Sequence, residues 1–184
     1  MNAPLTRKDV AVSSTLSTFA VFHLNLAFSS IEEEQRIEVI RRCYWPLLRL
    51  AEKYGPIGLE ATGYTLEEIA LRDPHWIETA TALIAKGQIE LIGSGYAQII
   101  APLVPWRVTE ANLHIGNEIY SRLLGFTPSI ALVNEQAYSG GLVGLCCTRG
   151  IGDRYRQTVL QGLALCVLLI GGKSALSSDN LPVV

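Results

Sequence analysis

The residues of this chain that could carry chemistry are few and widely spaced: His23 and Asn25 in FHLNLAF, Glu60 in GLEAT, Glu90 in QIELIGSGY, and Asn134-Glu135 in SIALVNEQAY. Each lies in, or directly after, a short apolar run. Carboxylates accompanied by amide, hydroxyl and aromatic groups suit sugar binding and glycosyl transfer, in which one carboxylate attacks the anomeric carbon and a second group protonates the leaving oxygen. Every one of these residues also has a structural reading. His23 could be a core histidine bonded to a backbone carbonyl. Glu60 reads as a loop carboxylate ahead of a helix, and Glu90 as either a solvent-facing or a buried and paired strand residue. Glu135 could cap a helix that follows its strand. The GSGY turn, Gly93 to Tyr96, lacks the third glycine of a dinucleotide fingerprint. The three histidines are His23, His75 and His114, the last two on expected helices, so no metal-ligand set is legible.

The elements that must position these groups alternate along the chain. Residues 17–28, STFAVFHLNLAF, suit a strand enclosed on both faces. SIEE from Ser30 reads as a capping box opening a helix with an apolar stripe through Ile37, Ile40, Tyr44, Leu48 and Ala51, kinked or divided at Pro46. GPIGLEAT, residues 55–62, is a short strand, and TLEE from Thr65 predicts a second capped helix. A third helix starts at Asp73-Pro74 and stops near Lys86-Gly87. Strands at residues 88–94 and 129–133 flank a helix over about 109–124 that Gly125 ends. This alternation predicts an α/β fold, a parallel β/α barrel with functional residues at the carboxyl ends of its strands. There His23, Asn25, Glu60, the turn after Glu90 and Glu135 would share one mouth.

With 184 residues, 49% hydrophobic and 17% charged, the chain can bury a core and is not a disordered segment. A net charge of −2 gives no general basic footprint for nucleic acid or an anionic membrane. The N-terminus lacks the pattern of a secretory signal, so a cytoplasmic address is expected. The four cysteines, Cys43, Cys146, Cys147 and Cys166, form no CxxC pair and read as reduced thiols. The apolar run VLQGLALCVLLIGG falls short of the roughly 20 residues of a membrane helix.

Three ordered blocks, FHLNLAFSS, KGQIELIGSGYAQIIAPLVP and LVNEQAYSGGLV, together resemble the amino-terminal half of the family-57 glycoside hydrolases. These are enzymes of α-glucan hydrolysis and transfer, built on an incomplete seven-stranded β/α barrel. The likeness runs from about Ala20 to Gly144 and implies about four of the seven β/α units. It implies Glu135 as the nucleophile of a retaining mechanism, His23 lining the substrate site, and Glu90 in a binding or structural role. With Asn25 and Tyr96 these make the expected substrate-binding set. The partner implied is an α-glucan or oligosaccharide, not nucleic acid or a membrane, and no metal or organic cofactor is implied. A non-catalytic carbohydrate-binding or partner protein is the alternative. A metal-dependent polysaccharide deacetylase on a similar barrel would need a His/Asp ligand set that is not found. The first block reads HLN where the family more often carries HQP or HxH, which leaves the glycan open.

The family's acid is an aspartate in a later block. Asp153 and Asp179 are the only aspartates after Glu135, and neither lies in a segment like that block. Three parts are expected: an N-terminal extension, residues 1–16, a partial barrel, residues 17–145, and an atypical tail, residues 146–184. The composition break near Leu145 suggests a truncated or frame-shifted product, inactive alone, which the coding DNA in its other two frames would test.

Overall fold

The computed structural model describes residues 20–27, 29–137 and 139–142, with the backbone of 158–159 and 167–169. The expectations for residues 1–16, for Cys146, Cys147 and Cys166, for Asp153 and Asp179, and for the apolar run of the tail fall outside these residues or rest on their backbone alone. Four parallel strands follow one another in space as in sequence: β1 (Val21–Leu24), β2 (Ile57–Ala61), β3 (Ile89–Gly93) and β4 (Ile130–Leu132). Two short strands, β5 (Thr158–Val159) and β6 (Val167–Leu169), extend the sheet beyond β4, with β6 antiparallel to it.

The register decides which side chains share a face. His23 pairs with Glu60, Glu60 with Ile92, and Ile92 with Ile130. Because side chains alternate along a strand, this face also carries Val21, Gly58 and Glu90 one layer below, towards the amino ends. Its apolar members Ile92 and Ile130 form a small cluster with Val21 and Leu132. The opposite face, with Leu24, Ile57, Leu59, Ala61, Ile89 and Leu91, is the main core and is covered by the helices. The strands are apolar on both faces because the helices cover one side and a barrel interior would occupy the other. Four parallel strands with flanking helices therefore form an incomplete β/α barrel, as the alternation predicts.

The connections start differently from the reading of the caps. Ser30 does not open a helix; a 3-10 turn at Glu33–Gln35 leads into α1 (Arg36–Val39), and Glu32 at its start makes no side-chain cap. A π-helical turn, Ile40–Tyr44, separates α1 from α2 (Trp45–Tyr54). Pro46 sits in the first turn of α2, and the widened π-helical turn before it accommodates the ring and the missing N–H. The cap of α3 (Gly63–Arg72) is Thr62, which accepts from Thr65 N–H at 3.1 Å, so the helix starts before Thr65. The Asp73-Pro74 start of α4 (Pro74–Ala85) holds as read, Asp73 accepting from Trp76 N–H. Helix α5 (Trp106–Leu124) begins at Trp106 with Pro105 as its N-cap residue, three residues ahead of expectation, and ends at Gly125 with φ 67°.

Candidate functional site

The site grows from one buried carboxylate. Glu60 lies in β2 and is 0% exposed, which corrects its reading as a loop residue. A buried carboxylate needs partners, and Glu60 has two: His23 Nδ1 on β1, and the Ser94 hydroxyl directly after β3, which donates to its other oxygen. Ser94 N–H donates to the Tyr120 hydroxyl at 3.1 Å. That hydroxyl donates in turn to the Ala61 carbonyl at 2.7 Å, with the Gly95 carbonyl at 3.0 Å as a second acceptor. Tyr120 thus ties the ends of β2 and β3 together from within α5. Tyr120→Phe is expected to destabilise the fold by about 1–3 kcal/mol, because the Ser94 amide is left buried without its acceptor; chemical denaturation measures it.

The His23 side chain is 43% exposed, and its Nε2 lies 2.9 Å from Gln98 Nε2, in the loop after β3. The same amide accepts through its oxygen from Asn25 Nδ2 at 3.2 Å. The bond to Glu60 holds the His23 pKa above its ordinary 6.5, against the opposing effect of burial. The charges of Glu60 and then Glu135 add in the same direction. The Glu135 carboxylate is therefore within the electrostatic reach of His23 although it follows β4.

Glu135 is exposed and sits in a one-turn 3-10 segment, Asn134–Gln136. Its backbone is left-handed, φ 54° and ψ 19°, the one positive φ at a non-glycine among the described residues. Helical residues resume at 140–142, and the N-cap of the turn itself, Val133, offers no side-chain bond. Asn134 anchors the turn through its Nδ2, 3.4 Å from the Ile99 carbonyl in the loop after β3. Non-glycine residues held in sparsely populated backbone conformations cluster at functional sites.

Of the expected set, His23, Asn25 and Glu135 meet around the carboxyl ends of the strands. Glu90 does not join them: it shares their face but lies a layer below, opposite Gly58, and is exposed. Tyr96 belongs to the helix side, edge-on to Tyr64 at 5.8 Å and packed against the main core, where burial raises its pKa. Sequence reasoning placed Glu60 and the turn of Ser94 at the same mouth as His23 but missed their pairing, and Gln98, as one network. The signal for Glu60 was there in the alternation of GLEA, which puts it on the face of His23 once the strands are parallel neighbours. Among the described residues no group of three or more His, Cys, Asp or Glu could hold a metal ion, and no helix is long and apolar enough to cross a membrane.

Comparison with known proteins gives two family matches. The model described as glycosyl hydrolase family 57 matches residues 9–152, and one described as a protein of unknown function, DUF554, matches residues 131–184. An alpha-amylase from Pyrococcus furiosus is 22% identical over 116 residues, 62% of this chain and 18% of the relative. The 4-alpha-glucanotransferase from Thermococcus litoralis superposes with a TM-score of 0.63 at 21% identity, over 73% of this chain and 21% of that one. The alpha-amylase AmyC from Thermotoga maritima gives 0.56 at 14% identity, over 71% and 38%. These two likenesses speak to the fold. The chain spans well under half the length of each of these relatives.

Proposed function

The chain belongs to glycosyl hydrolase family 57, and on that premise we propose that it acts on α-glucans by the retaining route, with Glu135 as nucleophile and with His23 and Asn25 among the groups that hold the sugar. The observation that carries this reading is Glu135 itself: exposed, at the carboxyl end of β4, in a left-handed backbone, with its charge felt by His23. The substrate class rests on relatives named as alpha-amylases and a 4-alpha-glucanotransferase.

In the first step a Glu135 oxygen bonds to the anomeric carbon while the bond from that carbon to the leaving oxygen breaks. That oxygen needs a proton from a second carboxyl, about 5–5.5 Å from the nucleophile in retaining enzymes. Glu60 is unsuited to this, being fully buried with both oxygens engaged. Neither Asp153 nor Asp179 resembles the expected acid. We take residues 1–16 as an extension, 17–145 as the partial barrel and 146–184 as a tail of separate character. The match of residues 131–184 to a second family supports a tail read in frame and weighs against an out-of-frame origin.

A substrate whose leaving group needs no proton isolates the step this chain can perform. With α-glucosyl fluoride, carbon–fluorine cleavage releases fluoride, and the glucosyl ester on Glu135 is expected to accumulate because no second carboxylate among the described residues is free at the strand ends to activate water against it. Intact-protein mass spectrometry should show one added glucosyl unit per chain. Binding of maltooligosaccharide without that adduct favours the second reading, a carbohydrate-binding or partner protein that keeps half of the site. The antiparallel β6 against β4, where a barrel would continue with a parallel strand, speaks for that alternative.

A further inference from the structure

We propose that Glu60 is a positioning residue for His23: held between Ser94 Oγ and His23 Nδ1, it fixes the imidazole so that Nε2 faces Gln98 at the strand ends. This deepens the reading of His23 as a sugar-holding group and rests on it. The register places His23 and Glu60 directly opposite each other on neighbouring parallel strands and on the same face. Glu60 is fully buried, and its second oxygen is held by a serine whose own amide is held by Tyr120. Tyr120 closes the circuit on Ala61, the residue after Glu60. The carboxylate is therefore braced from both sides and the ring has one orientation to adopt.

That orientation settles the tautomer. With Nδ1–H donated to Glu60, the neutral ring turns an acceptor towards Gln98 Nε2, and Gln98 Oε1 accepts from Asn25. On protonation Nε2 becomes a donor. The Gln98 amide must then turn over to offer its oxygen, and its partnership with Asn25 reverses. The charged groups facing His23 are Glu60 from β2 and Glu135 from the turn after β4, and both favour the cation. Glu60 thereby decides whether the strand ends present a hydrogen-bond donor or an acceptor to a sugar hydroxyl.

Imidazole ¹⁵N NMR of the full chain reads this without any substrate, and His23→Gln assigns the signal among three histidines. The His23 midpoint is expected above 6.5, with the neutral ring carrying its proton on Nδ1. Glu60→Gln should lower the midpoint by about one pH unit or more, since it removes the nearest opposite charge, and should mix the tautomers. Ser94→Ala should move it upwards, because the charge it leaves on Glu60 is less dispersed. A general loosening of the fold would move both variants the same way.

A His23 midpoint that shifts by less than about 0.3 in Glu60→Gln, against the one-unit or larger effect of an adjacent charge, overturns the proposal. Should that variant not fold, a downward shift in Ser94→Ala overturns it instead. A glucosyl adduct that fails to form while the titration behaves as described would sink the glycosyl-transfer reading and leave the role of Glu60 standing.

Discussion

Glu135→Gln is expected to reduce the rate of glucosyl-adduct formation from α-glucosyl fluoride by about 10³-fold or more, because the amide cannot supply the electron pair that attacks the anomeric carbon. Glutamine keeps the size of the side chain and its backbone, so the loss reads chemistry alone. Glu135→Gly should lose the same chemistry with a different structural outcome. A non-glycine residue in left-handed backbone carries roughly 1–2 kcal/mol of strain, which glycine relieves at a cost of about 0.4–1 kcal/mol in unfolded-chain entropy. The glycine variant should therefore match the parent in stability or exceed it by up to about 1.6 kcal/mol by these figures. The two variants separate function from architecture. If Glu135 were a cap or surface anchor, Glu135→Gly would be clearly less stable and glutamine would leave adduct formation intact. Azide adds a further arm: the space vacated in Glu135→Gly lies on the face the nucleophile used, so azide attacking from there should yield the β-glucosyl azide. Adduct formation surviving in Glu135→Gln would remove this residue from the mechanism.

Much of this arrangement was legible in the residues because local signals and burial agreed. Asp73-Pro74, Lys86-Gly87 and Gly125 punctuate helices where cap, proline and left-handed glycine chemistry say they should. The short apolar runs became parallel strands in sequence order. Caps failed where two hydroxyl residues competed: Thr62 and Thr65 both suit an N-cap, and only the packing that puts Thr62 directly after β2 selects it. The site was half legible. Glu135 stood out by position, whereas the pairing of Glu60 was hidden because its partners are 37 and 34 residues away in the chain. Only strand register brings them together. Tyr96 misled for the same reason, since the turn after β3 directs it to the helices while its neighbour Ser94 points to Glu60.

The largest expected effect on stability comes from a glycine that propensity alone would replace. Gly116 lies in the middle of α5, where alanine should favour the helix by about 1 kcal/mol. In this fold a Cβ there would stand 2.5 Å from the Gly95 carbonyl carbon, 2.8 Å from Gly95 Cα and 2.8 Å from the Tyr96 nitrogen. All three are backbone atoms that cannot swing aside. A Cβ at Gly63 would in turn stand 3.3 Å from Gly116 Cα, and Gly63 N–H donates to the Gly95 carbonyl at 2.9 Å. Three glycines thus let the start of α3, the middle of α5 and the turn after β3 come together. Gly116→Ala must push α5 away from that turn, at a net cost of about 3 kcal/mol and a fall in thermal midpoint of roughly 10 °C. Gly125→Ala is the internal reference: its Cβ would meet open space, so only its left-handed φ of 67° is penalised, by about 1 kcal/mol. The site should respond in the same order. Ser94 and Gln98 flank the displaced turn, so Gly116→Ala should shift the His23 titration while Gly125→Ala leaves it in place. A Gly116→Ala chain as stable as the parent would mean that α5 does not rest on this turn, and that Tyr120 cannot be what fixes the ends of β2 and β3.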